Sequence, residues 1–152
     1  MKRIFKIVGS LVALIIIVFI VTKLLPNEKR SLIRDINNLK DAVEKENINK
    51  TLDYFDKDYL DQHSLNFNDF RSMVEEFFKS ADSINIMISG LKVWIDSTKN
   101  NTIFAHCSLG LRVIARYENE KVLVFGGVIQ PSPVKGYFRK EKNFYKIYSA
   151  EY

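Results

Sequence analysis

Hydrophobic residues recur along this chain with different periods, and the changes of period divide it. Residues 7–22 carry no charged side chain. From residue 32 to residue 81 apolar side chains recur every three or four positions, which is typical of amphipathic helices. From residue 84 to the C-terminus they recur every second position, which is typical of half-buried strands. The pattern predicts an apolar N-terminal segment, then helices, then an antiparallel sheet, which is an α+β fold.

The uncharged stretch predicts a transmembrane helix within residues 1–26. With Leu24 and Leu25 it approaches the ~20 residues that span a bilayer, and Lys6 and Lys23 can reach the two interfaces. A cleaved signal peptide is the alternative, but residues 21–25 lack the small-x-small cleavage pattern. Basic residues are slightly denser on the N-terminal side. We therefore expect a single-pass signal anchor, with residues 27–152 as one soluble domain outside the cytoplasm.

Three helices and five strands are predicted in the soluble domain. Ser31 can cap the first helix and Asn47 the second. The second and third helices are predicted over residues 48–59 and 67–81. A β-bulge at Ser89 and Gly90 would reconcile the two halves of the first strand. The remaining strands are predicted over residues 103–115, 122–129, 134–139 and 144–149. The expected architecture is three helices packed on one face of a curved antiparallel sheet of about five strands.

This order of elements resembles the nuclear transport factor two-like superfamily, also called SnoaL-like or cystatin-like α+β cones. The resemblance covers residues 31–152 and rests on three stretches, residues 52–59, 69–78 and 143–147. In the last of these, Tyr145 stands where many members have a tryptophan. The resemblance implies a cone whose mouth lies between the helices and the concave face of the sheet. Members use such cones as isomerases, dehydratases and cyclases, for ligand binding, or for protein assembly, so that the fold alone carries no function.

The net charge of +5 belongs mainly to the predicted anchor. Four of the 23 basic residues and none of the 18 acidic residues lie within residues 1–26. A nearly neutral domain argues against nucleic acid as a partner. Five basic residues near the C-terminus are interpreted as solvated strand edges, with anionic lipid headgroups as the alternative. These are Lys135, Arg139, Lys140, Lys142 and Lys146.

Few residues have the chemistry of a catalytic or metal site. Cys107 is the sole cysteine and alternates with apolar residues, which predicts a buried thiol. His63 and His106 are the two histidines, and neither has a carboxylate at ligand spacing, so neither a metal nor a cofactor is expected. His106 is expected to point outward, because burial of the alternate residues directs them inward.

The candidate site consists of five residues. Tyr54, Asp58 and His63 follow one another at spacings of four and five and could face the mouth of the cone. A carboxyl and a phenol can together donate hydrogen bonds to a developing oxyanion. In the plainer interpretation, Asp58 accepts a turn hydrogen bond and Tyr54 packs with its hydroxyl exposed. Trp94 and Tyr137 are further ligand-binding candidates, or residues of the core or rim.

The leading hypothesis is a membrane-anchored, non-enzymatic cone that binds a small apolar ligand or a protein partner outside the cytoplasm. The second is an isomerase or dehydratase that uses Tyr54, Asp58 and His63. The third is an assembly subunit of a membrane or secretion complex, in which the chain could form a homodimer through the sheet. Membrane lipid is an expected partner through the N-terminal helix.

Overall fold

The computed structural model describes residues 27–152, and these form three helices and one five-stranded sheet. The helices are α1 (Glu28–Glu44), α2 (Ile48–Asp53) and α3 (Phe67–Ser80). Each begins after an asparagine whose side-chain oxygen accepts a backbone N–H of the first turn. Asn27 accepts from Lys29 at 3.1 Å, Asn47 from Lys50 at 3.0 Å, and Asn66 from Asn68 at 2.9 Å. The prediction of three helices is confirmed, although α1 begins three residues before the predicted cap, Ser31.

The predicted transmembrane anchor lies within residues 1–26, outside the described residues. Within residues 27–152, no helix combines the length and the apolar character that crossing a bilayer requires.

The predicted extent of the second helix is wrong, because α2 ends at Asp53 and not at residue 59. Backbone hydrogen bonds to β5 replace helical ones from Tyr54 onward. The N–H of Ile147 donates to the carbonyl of Tyr54 at 2.8 Å, and the N–H of Asp56 donates to the carbonyl of Ile147 at 2.8 Å. Further along, Leu60 and Gln62 donate to the same strand at 3.1 Å each. Residues 54–62 therefore cover an edge of the sheet that would otherwise be open to pairing.

The sheet is built around its second strand. The strands are β1 (Ser83–Lys99), β2 (Thr102–Tyr117), β3 (Glu120–Phe125), β4 (Ser132–Lys140) and β5 (Lys146–Glu151). β1 pairs with the whole of β2, and all pairs are antiparallel. On its other edge β2 pairs first with β4 and then with β3, while β5 pairs with β4. The bulge predicted in β1 is confirmed by the register shift between Ser89 and Lys92.

Two-residue turns join the first three strands. Asn100 and Asn101 have φ of 49° and 63°, and Glu118 and Asn119 have φ of 47° and 69°. Positive φ at both central residues gives the turn a twist that matches the twist of the flanking strands. Both turns lie outside the strand ranges that the sequence predicts, 103–115 and 122–129.

The inner face of the sheet meets the helices across small side chains. Ala105, Cys107 and Phe138 are buried together with Leu32 and Ile36 of α1. Burial raises the pKa of the Cys107 thiol, so the group stays protonated, and the prediction of a buried thiol is confirmed. Small residues on β2 allow α1 to lie close to the sheet.

Polar contacts anchor α1 at both ends. The buried carboxylate of Asp35 accepts the backbone N–H of Tyr145 at 2.9 Å. The Tyr145 hydroxyl donates to Glu28 at 2.9 Å, and Lys140 donates to the same carboxylate at 2.9 Å. At the other end, Glu44 accepts the N–H of Ile86 on β1 at 2.8 Å. The helix therefore crosses the sheet from the β4–β5 turn to β1.

An ion pair between Arg139 and Asp56 holds residues 54–62 against β4. Arg139 donates to both carboxylate oxygens of Asp56, from Nε at 2.6 Å and from a terminal nitrogen at 2.5 Å. Burial by itself would raise the pKa of Asp56, but the hydrogen bonds from Arg139 and from the N–H of Asp58 outweigh it and lower the pKa. This bidentate pair is the geometry in which an arginine holds a carboxylate best.

Replacing Asp35 by alanine is expected to lower the free energy of unfolding by about 1–3 kcal/mol, because the buried N–H of Tyr145 loses its acceptor. Asp35→Asn keeps an oxygen that can accept this N–H and should cost less. Urea unfolding of both variants checks the prediction, with Asp41→Asn on the exposed side of α1 as the control. Equal losses in Asp35→Ala and Asp41→Asn would contradict it.

The Asp56 carboxylate should make stability sensitive to acid. Its pKa is lowered on folding, so its contribution is present above the unfolded value of about 3.9 and is lost as the pH falls through the lower folded value. Asp56→Asn is expected to be less stable than the wild type at neutral pH. It should also lose less stability than the wild type when the pH is lowered. Thermal unfolding from about pH 5 to about pH 2 measures this. The exposed carboxylate variant Asp53→Asn should keep the wild-type acid slope, and a parallel slope in Asp56→Asn would refute the assignment.

Candidate functional site

Each of the three predicted catalytic groups has its own partner. The ring of Tyr54 meets Phe144 edge-on at 5.2 Å between centroids. The Asp58 carboxylate accepts from Arg139 at 2.8 Å, and 78% of its side chain is exposed. His63 is exposed, lies 5.2 Å from the ring of Tyr152, and accepts from Gln62 at 2.9 Å. The described contacts join none of the three to another.

Aromatic and aliphatic side chains fill the space beneath α1 and beside α2. Tyr145 and Leu32 are fully buried in one cluster. In the neighbouring cluster Phe55 stacks on Phe70 at 4.0 Å and meets Tyr59 edge-on at 5.2 Å. The interior in this region is therefore occupied by the domain's own side chains.

Two hollows of the described surface lie away from the predicted groups. The larger has a volume of about 560 Å³ and lies where the end of α3 meets the β2–β3 turn. The smaller, of about 130 Å³, lies where the start of β1 crosses the end of β2. Neither is lined by Tyr54, Asp58 or His63.

The outer face of the sheet brings Trp94 and Tyr137 together through a third residue. Trp94 on β1 stacks on His106 of β2 at 4.7 Å, with 11° between the ring planes. The ring of His106 lies 6.3 Å from Tyr137 on β4. Tyr148 of β5 continues the row 6.4 Å from Tyr137 and lies 6.3 Å from Phe104. These five residues, which span four strands, are here named the outer-face aromatic cluster.

Hydrogen bonds to carboxylates hold two of these rings. His106 Nδ1 donates to Asp96 at 2.8 Å, and the Tyr137 hydroxyl donates to Glu151 at 2.7 Å. The Glu151 bond raises the pKa of Tyr137 and lowers that of Glu151. Lys135 lies 3.5 Å from Glu151, which adds a cation to the rim. The cluster is therefore an ordered surface with a polar border.

The orientation of the rings limits what they can bind. Neighbouring strands are ~4.8 Å apart, close to the 4.7 Å that separates the parallel rings of Trp94 and His106. The two rings are therefore stacked along the direction from one strand to the next. Their planes are roughly perpendicular to the sheet, and their edges face solvent. A flat ligand would need an open ring face, whereas ring edges suit the edge-to-face contacts of protein aromatic residues.

The Asp96–His106 pair has the two residue types that activate a nucleophile. No hydroxyl or thiol of the described residues forms a hydrogen bond with His106, and Cys107 lies on the opposite face of β2. Among residues 27–152, no three histidine, cysteine or acidic side chains are grouped closely enough to hold a metal ion. Within the described residues, the Asp96–His106 pair therefore has no hydroxyl or thiol hydrogen-bonded to it.

The sequence predicts that His106 lies on the outer face. It does not predict that His106, Phe104 and Tyr148 belong to a site. The signal was the alternation within β2, where Phe104 and His106 share the parity opposite to the buried residues. The strand register that aligns them with Trp94 and Tyr137 appears only in the folded sheet.

No protein-family profile matches the chain. No curated protein matches it either.

Solved structures do resemble it. The helical cell shape determining protein Pgp2 from Campylobacter jejuni is similar over 80% of this chain and 40% of Pgp2, with 18% identity and a TM-score of 0.58. Bd1075 from Bdellovibrio bacteriovorus is similar over 80% of this chain and 38% of its own, with 14% identity and a TM-score of 0.59. The chain thus spans about two fifths of the length of these two proteins.

A shorter protein resembles it along most of both chains. This protein, from Streptomyces avermitilis, is of the NTF2-like family, and its name assigns it provisionally to the dehydratases. The similarity covers 80% of this chain and 91% of that one, with 12% identity and a TM-score of 0.58. At such identities the likeness concerns the fold alone. Residues 27–152 therefore have the α+β cone fold of nuclear transport factor two-like proteins.

Proposed function

We propose that this chain is a membrane-anchored, non-enzymatic interaction domain that binds a protein partner outside the cytoplasm through the outer-face aromatic cluster. The observation that carries the proposal is this cluster, because partly exposed aromatic residues spanning four strands are typical of protein interfaces. The anchor within residues 1–26 would keep the domain at the membrane.

The inner side of the cone supports a protein partner over a small apolar ligand. Where α1 and α2 cover the sheet, Tyr145, Leu32 and the stacked pair Phe55 and Phe70 occupy the interior. A small apolar ligand needs an enclosed concave site. Tyr54, Asp58 and His63 each have separate partners, which weakens the enzyme hypothesis in the same way.

A second copy of the chain fits the surface as the partner. An isologous interface brings the same patch together twice, so the patch must complement itself. The rim carries Asp96 and Glu151 as acids and Lys92 and Lys135 as bases, so that both signs of charge are present. Aromatic edges at the centre and mixed charges at the rim favour this arrangement.

The likeness to longer proteins supports an assembly role. In the Pgp2 and Bd1075 structures the region similar to this chain occupies less than half of the protein. A fold that recurs beside other parts of a chain suits a module that joins components. Here the other component would be a second anchored copy.

Trp94→Lys should weaken self-association of the full-length chain in neutral detergent by about tenfold or more, because it removes a large ring of the cluster and puts a charge in its place. Met87→Lys is the matched control, since Met87 lies on the same strand and is 48% exposed. Analytical ultracentrifugation of both variants measures the effect. A monomeric wild-type chain at high concentration, or equal effects of the two substitutions, would exclude the second copy as partner.

Asp58→Asn separates this proposal from the enzyme hypothesis. The ion pair with Arg139 is solvent-exposed on the Asp58 side, so the substitution should change the free energy of unfolding by less than about 1 kcal/mol. Self-association should stay at the wild-type level. If a dehydration or isomerisation found by substrate screening disappears in Asp58→Asn while stability is kept, the non-enzymatic proposal is wrong.

A further inference from the structure

Three basic residues form a second cluster on the outer face, where the end of β2 meets β3. Arg112 and Arg116 lie on the same face of β2 as His106, and Lys121 of β3 stands directly opposite Arg116. These three residues are here named the basic cluster. Like charges directly opposite each other on neighbouring strands destabilise a sheet. The pairing of Arg116 with Lys121 therefore costs stability unless a negative charge lies between them.

No carboxylate of the described residues supplies that charge. Arg34, Arg71, Arg139, Lys40, Lys135 and Lys140 all form ion pairs within residues 27–152. The three members of the basic cluster are among the other described lysines and arginines, which form none. The Nε of Arg112 is also buried without a hydrogen-bond partner, which leaves a charged donor unsatisfied.

A small hollow adjoins two of these cations. Its volume is about 130 Å³, and Arg116, Lys121, Ser83 and Asn85 contribute to its lining. Ser83 of β1 is the register partner of Arg116 on β2, and Asn85 of β1 is the register partner of Ile114. A hydroxyl and an amide are thus placed beside the cations, and both can donate hydrogen bonds to an oxygen-rich anion.

We propose that the basic cluster binds a multiply charged oxyanion of the phosphate class. One such anion can bridge Arg116 and Lys121 and turn a repulsive pair into two attractive contacts. The arginine fork matches the spacing of phosphate oxygens. A single carboxylate has less charge to divide among three cations. This site is separate from the aromatic cluster and does not depend on the proposed partner.

The position of the cluster favours a soluble phosphate compound over a lipid headgroup. The start of α1 is held at Lys140 through Glu28, and Lys140 pairs with Ile103 at the beginning of β2. Arg112 lies nine residues further along the strand, which is about 30 Å at ~3.3 Å per residue. The basic cluster is therefore remote from the point where the predicted anchor joins the domain.

Inorganic pyrophosphate is the probe for the test, titrated at constant ionic strength into the full-length chain in phosphatidylcholine nanodiscs. Calorimetry should show saturable binding, and pyrophosphate should raise the thermal unfolding midpoint. Lys121→Glu should weaken binding by about tenfold or more. Without the anion it should also raise the midpoint, because glutamate opposite Arg116 replaces a repulsion by an attraction.

The control is Lys99→Glu, which makes the same charge change at the distant β1–β2 turn. Equal weakening by both substitutions, or no saturable wild-type binding below about 1 mM, would overturn the site. Arg116→Gln gives a second test if Lys121→Glu does not fold, and it should weaken binding similarly. Nanodiscs that contain phosphatidylglycerol distinguish a soluble phosphate ligand from a lipid headgroup. Unchanged pyrophosphate binding in them supports a soluble ligand, and suppressed binding would overturn that assignment in favour of lipid.

Discussion

The contact between Asp35 and the backbone of Tyr145 holds α1 against the inner face of the sheet. A buried carboxylate is costly unless hydrogen bonds satisfy it, and this one accepts a buried N–H from a residue 110 positions away. The contact fixes α1 against the β4–β5 turn, and the bond from Ile86 to Glu44 fixes its far end at β1. Because α1 lies across one face, the opposite face is left for other molecules.

The alternation of side chains along β2 then places small apolar residues on the inner face of the sheet and polar or aromatic residues on the outer face. Ala105, Cys107 and Ala115 point toward the helices and are buried. His106 and Arg112 take the other parity, and the cross-strand register aligns His106 with Trp94 and Tyr137, and Arg112 with Met87. A single central strand thus gives the domain a nearly inert interior and a chemically varied outer surface.

The sequence predicts those features that depend on neighbouring residues. The asparagine cap at residue 47, the bulge at Ser89 and Gly90 and the buried Cys107 all follow from local pattern, and all are present. The end of α2 was missed because its cause is remote, since Ile147 competes for the backbone of Tyr54 and Asp56. Three of the five basic residues interpreted as strand edges form ion pairs: Lys135 with Glu151, Arg139 with Asp56, and Lys140 with Glu28. These partners are distant in the sequence, so no local pattern predicts them.

The outer-face aromatic cluster was hidden from sequence reasoning for the same reason, since its rings come from four strands whose register is set by folding. The charges on the two parts of this face differ in a way that separates their roles. Around the aromatic cluster acids and bases are mixed, and Glu151 accepts from Tyr137 and pairs with Lys135, so that part suits a partner that resembles itself. Arg116 and Lys121 form no ion pair within the described residues, so that part suits an anion. One sheet face therefore carries two surfaces that differ in their residues and in their ion pairing.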